Sequence, residues 1–290
     1  MKPARFEYLA PTSVEEAVSL LVEGGEDAKL LAGGQSLVPL MNLRLAQPSV
    51  LIDLNKVEGI SSITESEDAV VIGSMARHRA VAESEVVRRF LPLLAESAGH
   101  IGYPAIRARG TIGGSIAHAD PVSEFPCACL CLHAEFVLTG PAGTRQVRAE
   151  DFFVSYLTTA LSPDEILTEV RFPKPSPGLG WGFLELARKT GDFALAAVAA
   201  TVALSPDGTC SEASIAVAGG GDRPLRMVEA ETMLKGNQGD DVIARAATAA
   251  ATSSNPPSDI HSSGDFRRQM IEVLTRRVLT AAWGNARRGE

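Results

Sequence analysis

Two glycine-rich turns carry the residues best suited to chemistry. The first is Leu31-Ala32-Gly33-Gly34-Gln35-Ser36-Leu37. The second opens with Gly110-Thr111-Ile112-Gly113-Gly114-Ser115-Ile116-Ala117-His118 and closes with Ala119-Asp120-Pro121. Paired glycines allow positive φ and let the backbone approach a ligand closely. Successive N–H groups in such a turn form an anion-binding nest. Ser36, Thr111 and Ser115 add hydroxyl donors. Two such turns could clasp a diphosphate from both sides without a cation. The plainer reading is a pair of ordinary tight turns. Neither GxGxxG nor GxxxxGK[ST] occurs, so dinucleotide and P-loop fingerprints lack support. Gly219-Gly220-Gly221 reads as a loop after a strand.

His118 and Asp120 form a His-x-Asp pair that suits a metal or an acid–base dyad. No third ligand is spaced to complete a zinc site, so metal binding is not expected. The structural alternative is a loop histidine bonded to backbone. Cys127, Cys129 and Cys131 alternate and Cys210 stands apart, with no CxxC pair, which disfavours a zinc ribbon or a cysteine-ligated cluster in this chain. Buried thiols are the simplest reading. Arg107 and Arg109 precede the second turn and read as surface or interdomain pairing, with attraction of diphosphate charge as the alternative. No G-x-S-x-G elbow is present, and no catalytic side chain is expected.

The elements around these turns mix helices with strands. Ser13 and Glu16 form a capping box before a helix carrying Val14, Ala17, Val18 and Leu21, and Gly24-Gly25 stops it. Residues 28–32 and 49–54 read as strands of a small parallel sheet. Strands at 59–63 and 69–73 pair around a polar turn, and 81–94 and 104–107 read as helical. Glu135–Thr139 and Arg145–Val147 flank a hairpin turn, and Glu165–Phe172 is a further strand. Phe172 to Gly180 carries three prolines and two glycines and reads as a linker. Beyond it lie strands at 183–187 and 214–218, then helices at 240–253 and 265–283. This pattern is α+β.

Composition sets outer limits. The 290 residues carry a net charge of −8, 45% are hydrophobic and 5% aromatic. The length allows two or three compact units of roughly 100–200 residues. An acidic balance argues against nucleic acid. No apolar run reaches the ~20 residues needed to span a bilayer, and the N-terminal stretch lacks the apolar core of a signal peptide. A cytoplasmic protein without a transmembrane segment is expected.

Taken together, these residues resemble the medium, FAD-binding subunit of the molybdenum hydroxylases. That group includes carbon monoxide dehydrogenase, nicotine- and caffeine-type dehydrogenases and the flavin domain of xanthine dehydrogenase. The resemblance rests on Ala32–Leu37 and Thr111–Ser115 in order. It is supported by Phe6-Glu7-Tyr8 with Pro11-Thr12-Ser13, Asp53-Leu54, Val71-Ile72-Gly73, and Arg188-Lys189-Thr190-Gly191-Asp192-Phe193-Ala194. It covers nearly the whole chain. It implies a two-part FAD-binding domain of the vanillyl-alcohol-oxidase type over residues 1–177, with subdomains of about 1–55 and 56–177. A smaller α+β domain of the carbon monoxide dehydrogenase flavoprotein type follows over 178–290.

The resemblance also implies site roles. Leu30, Leu31, Ala32, Gly33, Gly34, Gln35, Ser36 and Leu37 would lie along the FAD diphosphate and ribityl chain. Thr111, Gly113, Gly114 and Ser115 would hold its other side, with His118 and Asp120 close to the flavin. Glu124 stands where relatives often carry an Asp that helps bind FAD. Leu167 stands where an apolar side chain touches the flavin ring. Phe193 stands where the carbon monoxide dehydrogenase type has a Tyr. Electrons would come from iron–sulfur clusters on a small partner subunit, fed by a molybdenum cofactor on a large one, and leave to an external acceptor. A stand-alone flavin oxidoreductase and a cofactor-free assembly protein of the same fold are the alternatives.

Overall fold

The computed structural model describes residues 2–289; residues 1 and 290 of the two expected domains lie outside the described residues. The chain begins with β1 (Glu7–Leu9), α1 (Val14–Gly24), β2 (Ala28–Leu31), α2 (Leu37–Asn42) and β3 (Val50–Asp53). The three strands pair in the order β1-β3-β2, all parallel, as the alternation of strand and helix predicts. Ser13 Oγ accepts the Glu16 N–H at 3.1 Å and caps α1. Glu16 in turn accepts the Thr12 N–H at 2.8 Å, one residue earlier than in a standard capping box. Ala17, Val18 and Leu21 form the buried stripe of α1.

A second unit contains β4 (Ile63–Glu65), β5 (Ala69–Gly73), α3 (His78–Glu83), α4 (Glu85–Phe90), α5 (Pro92–His100), α6 (Pro104–Arg107), α7 (Ile112–His118) and α8 (Glu124–Cys131). It continues with β6 (Glu135–Gly140), β7 (Gly143–Arg148), α9 (Ala149–Phe152), β8 (Phe153–Ser155), β9 (Thr158–Thr159) and β10 (Ile166–Pro173). The antiparallel sheet runs β4-β5-β10-β6-β7, and β8 pairs with β9. The stretch 81–94, expected as one helix, belongs to three short ones. Ser84 ends α3 and accepts the Val87 N–H at 3.3 Å to start α4. Pro92 then forces a new start, because it fits a first helical turn but not an interior. The strand expected at 59–63 forms only from Ile63 onward.

The helix α8 settles the cysteine spacing. Cys127, Cys129 and Cys131 lie on a helix that is buried on every side, and each thiol is fully enclosed. Burial pushes the Cys131 thiol up to about 12 and Cys129 further still, so these sulfurs are inert.

The third unit comprises β11 (Gly180–Ala187), β12 (Ala194–Leu204), β13 (Cys210–Ala218), β14 (Leu225–Arg226), α10 (Val228–Leu234), α11 (Asp240–Thr252) and α12 (Gly264–Arg288). Its sheet is antiparallel in the order β11-β12-β13-β14. Strand β12, Ala-Leu-Ala-Ala-Val-Ala-Ala-Thr-Val-Ala-Leu, has alternate residues in different cores. Ala196, Val198, Ala200 and Val202 pack with α10, α11 and α12, whereas Ala197 and Ala199 join the core around α8 and the five-stranded sheet. Small side chains on both faces let helices close on the sheet from either side. The loop after Pro173 therefore separates two stretches of sequence without separating two cores.

Candidate flavin site between two glycine loops

The first glycine turn leaves the C-terminal end of β2 and enters α2. Gly34 has φ +71°, a left-handed conformation that glycine adopts without strain. Gln35 Nε2 donates to the Gly33 carbonyl at 3.1 Å, and the Val38 N–H bonds the Gly34 carbonyl at 3.1 Å. Among the described residues, no acceptor pairs with the N–H groups of Gly33, Gly34, Gln35 and Ser36. A cavity of about 410 Å³ lies over this turn, lined by Leu31, Gly33, Gly34, Gln35, Val38 and Arg109, among others. Free amides in a turn beside a cavity suit an anion-binding nest.

The second turn is built differently. Thr111 Oγ1 accepts the Gly114 N–H at 3.1 Å and caps α7. The N–H of Ile112 bonds the Ala76 carbonyl at 3.0 Å, that of Gly113 the Ser74 carbonyl at 2.8 Å, and that of Ser115 the Thr111 carbonyl at 3.0 Å. The amides expected to hold a diphosphate from this side are thus already occupied, because helix capping and the neighbouring strand end consume them. The turn presents close backbone approach and hydroxyls instead. Ser115 Oγ lies 2.9 Å from Ser123 Oγ, one residue before Glu124.

The two turns touch. A Cβ placed on Gly33 would lie 2.5 Å from the Arg109 carbonyl oxygen and 2.7 Å from Gly110 Cα. A Cβ on Gly114 would stand 3.3 Å from Ala32 Cβ. Glycine is required at Gly33 for this approach. Arg109, just before the second turn, also lines the cavity over the first.

A polar clamp locks the turns from behind, and sequence reasoning missed it. Asn55 Nδ2 donates to the Ala32 carbonyl at 3.0 Å. Arg77 donates to Asn55 Oδ1 and to the Arg109 carbonyl. Asp53, which accepts the Asn55 N–H at 2.9 Å, also accepts the Tyr8 hydroxyl. The only signal for Asn55 was its place just after the strand end at Asp53. No spacing in the sequence singles out Arg77.

His78 supports the second turn. Its ring is buried, Nε2 bonds the Thr111 carbonyl at 3.0 Å, and a Cβ on Gly110 would run into the ring. Burial pushes this imidazole down to about 4, so it is neutral at physiological pH and donates from Nε2.

The other expected residues spread outward from this centre. Leu30, Leu31, Ala32 and Leu37 are half-buried along the first turn, with Ser36 exposed. His118 is half-buried at the end of α7, and Asp120 Oδ1 accepts the Val122 N–H at 3.0 Å, a turn-forming bond. Glu124 is buried in the first turn of α8, and burial pushes its carboxyl up to about 8. Leu167 is enclosed in β10 at a bulge, and its neighbour Thr168 accepts the Ser74 N–H through its carbonyl at 2.9 Å. Phe193 lies on the β11–β12 loop and is 74% exposed, too exposed for a packing role within the chain itself. Tyr103 packs against Gly191 of the same loop.

This donor set fits FAD. Free amides and Arg109 suit a diphosphate, and the close contact of two turns leaves a narrow cradle that a side chain at position 33 would fill. Comparison with known proteins agrees. Residues 4–175 match the FAD binding domain in molybdopterin dehydrogenase, and residues 181–282 match the CO dehydrogenase flavoprotein C-terminal domain. The chain is 42% identical to the carbon monoxide dehydrogenase medium chain of Hydrogenophaga pseudoflava, covering 98% of this chain and 99% of that one. It is 41% identical to the 6-hydroxypseudooxynicotine dehydrogenase complex subunit alpha of Paenarthrobacter nicotinovorans, covering 99% and 97%. A solved carbon monoxide dehydrogenase from Hydrogenophaga pseudoflava superposes with a TM-score of 0.96 over 98% of this chain and 99% of that chain, at 43% identity. Quinoline 2-oxidoreductase from Pseudomonas putida 86 superposes with a TM-score of 0.93, at 37% identity over 99% and 100%. The chain belongs to the FAD-binding medium subunits of the heteromeric molybdenum hydroxylases, oxidoreductases in which it serves electron transfer through FAD.

Proposed function

We propose that FAD lies in the groove formed where the two glycine turns meet, with its diphosphate on the first turn. The N–H groups from Gly33 to Ser36, which no acceptor among the described residues pairs with, carry this reading, since a bound anion would satisfy them. Arg109 adds charge from the second turn, while Thr111, Gly113, Gly114 and Ser115 supply close approach and hydroxyl contacts. Glu124, Leu167 and Phe193 belong to the flavin end, with His118 at the end of α7 and Asp120 on the loop that follows. When bound, FAD accepts electrons from iron–sulfur clusters and hands them to an external acceptor. The chain's own part is to bind, orient and shield. No side chain acts as a nucleophile.

The partners in this reading are a large molybdenum-binding subunit and a small iron–sulfur subunit. The division of the sequence falls near residue 177, with FAD held mainly by the part before it, and the complex works in the cytoplasm. Among the described residues no helix is long and apolar enough to cross a membrane. A self-sufficient flavin oxidase is the weaker reading, because the relatives matched over nearly their whole length are named as medium chains or complex subunits. Reconstitution tests the proposal. The purified chain with excess FAD is expected to retain a flavin spectrum after desalting and to melt at a higher temperature. Native purification is expected to bring down two further subunits, with molybdenum and iron present. A chain that neither retains flavin nor gains stability from it refutes the site.

A further inference from the structure

A second and larger cavity, about 880 Å³, opens where α5, α6, β11 and the loop after β11 meet. None of the roles above uses its titratable groups. His100, at the end of α5, stands between two carboxylates. Its Nε2 is 3.3 Å from Glu96 Oε1 and its Nδ1 is 3.4 Å from Glu185 Oε1. The three side chains grade inward from solvent. Glu96 is 51% exposed, His100 34% and Glu185 8%. The second oxygen of Glu185 is buried and has no hydrogen-bond partner among the described residues. An unpaired buried carboxylate oxygen is destabilising unless something visits it, such as a proton or a transient water.

The arrangement leads toward Glu124, the residue assigned above to the proposed flavin end. The buried Glu124 carboxyl, on α8, feels the charges of Glu185 and His100, which raise and lower its proton affinity respectively. Phe183 closes one side of His100 with its ring centroid 5.3 Å away. Tyr103 lines the cavity and packs on the loop that carries Phe193. Arg88 on α4, Arg107 on α6 and Lys189 after β11 line the cavity too.

Reduction of FAD to FADH2 takes up two electrons and two protons. Iron–sulfur clusters supply the electrons and no protons, so the protons must pass through this chain or its surface. We propose that Glu96, His100 and Glu185 form a proton relay from the solvent of this cavity toward Glu124 and the flavin. This inference rests on the placement of FAD proposed above. For each proton, neutral His100 bearing Nδ1–H takes up H⁺ at Nε2 from the Glu96 side, the imidazolium passes H⁺ from Nδ1 to Glu185 Oε1, the Glu185 carboxyl passes it inward, and exchange through cavity water returns the ring proton from Nε2 to Nδ1. Two passages balance FAD + 2e⁻ + 2H⁺ → FADH2, and each relay group returns to its starting protonation. Two features suit the groups to this work. The hydrogen bond to Glu185, aided by Glu96 and opposed by burial, holds the His100 imidazolium above its ordinary range. Burial keeps Glu124 protonated near neutral pH.

The test uses the purified holo-complex under anaerobic conditions. Deazaflavin flash photoreduction supplies electrons, flavin bleaching reports reduction, and a pH-indicator dye reports proton uptake. His100→Gln is expected to retain its FAD and slow proton uptake roughly tenfold or more, with partial rescue by added imidazole. Glu185→Gln is expected to do the same without rescue. Glu96→Gln alters an exposed group and is expected to fold. It should shift the pH profile of uptake to lower pH, because His100 loses a neighbouring negative charge. Wild-type rates and profiles in His100→Gln and Glu185→Gln, with full FAD content, overturn the relay alone. If His100→Gln does not fold, wild-type behaviour of Glu96→Gln and Glu185→Gln overturns it. A wild-type complex that holds no FAD on this chain overturns the underlying placement as well.

Discussion

Gly33→Ala perturbs the contact between the two turns most directly. The new Cβ would meet the Arg109 carbonyl oxygen at 2.5 Å, Gly110 Cα at 2.7 Å and the Arg109 carbonyl carbon at 3.0 Å. All three are backbone atoms, so no side chain can swing aside. Ordinary carbon–oxygen contact is about 3.3–3.6 Å, so the turns must part by close to an ångström. That movement pulls on the Arg77 bond to the Arg109 carbonyl and on the 3.0 Å bond from the His78 N–H to the Gly110 carbonyl. Overpacking of this kind costs about 1–3 kcal/mol of folding stability. If the diphosphate lies on the first turn as proposed and the parting misaligns two of its four open amides, at about 1 kcal/mol each, FAD affinity falls by a further ~2 kcal/mol, or roughly 30-fold. Titration of flavin fluorescence on the purified chain gives the Kd, and thermal melts without FAD give the stability term. Gly99→Ala is the control. It lies on α5 with nothing within 4 Å of its Cβ position, and the change should be neutral or stabilising by up to about 1 kcal/mol. A Gly33→Ala protein with wild-type Kd and melting temperature would show that the turns do not depend on this contact.

Three further outcomes are expected. Asn55→Ala removes the bond to the Ala32 carbonyl and the acceptor for Arg77, so it should weaken FAD binding by about 1–3 kcal/mol while circular dichroism stays unchanged; an unaltered Kd by calorimetry would remove the clamp from the site. Glu124→Gln probes a carboxyl pushed up from 4.5 to about 8. The folded state keeps that proton while the unfolded chain releases it, so wild-type stability falls as pH rises between these values. The melting temperature of Glu124→Gln relative to wild type should climb across pH 5–8 and level off above; parallel curves would contradict a buried acid. Phe193→Ala should change apoprotein stability by less than about 0.5 kcal/mol, given its exposure, yet alter the absorbance of bound flavin; an unchanged spectrum would place the ring elsewhere.

What the sequence made legible follows from the range of the forces involved. Both glycine turns, the Ser13 cap and most strands rest on local rules, and the structure has them. Strand β12 was not read, because six alanines in eleven residues give no alternation of polar and apolar side chains. Its period of two exists in space, where alternate alanines face different cores, and not in hydropathy. The single helix expected over 81–94 ignored the interruptions at Ser84 and Pro92. The symmetric anion clasp was overread for a similar reason. Glycine spacing shows where N–H groups can turn toward a ligand, but Ala76, Ser74 and Thr111 had already taken those of the second turn, and two of these acceptors lie some forty residues away. The Asn55–Arg77 clamp joins residues 22 positions apart without any motif, so only the fold reveals it.

The asymmetry of the two turns has a consequence for how the chain and its cofactor depend on each other. The first turn belongs to the small parallel sheet, and its amides are open. The second belongs to the helices beside the antiparallel sheet, and its amides are closed. Between them stand Gly33 against Gly110 and the side chains of Asn55 and Arg77. If the diphosphate lies on the first turn as proposed, it sits where that turn meets the backbone of Arg109 and Gly110, and binding reports on whether the two units are docked. A ligand that binds the docked state alone stabilises it by about 2.7 kcal/mol at a hundredfold excess over Kd. In a chain of net charge −8, that gain comes mainly from oriented amides at fixed distances, which salt screens less than a patch of surface cations. Loss of docking and loss of FAD should then appear together in variants of the clamp, and separately in variants of the exposed Phe193 on the β11–β12 loop.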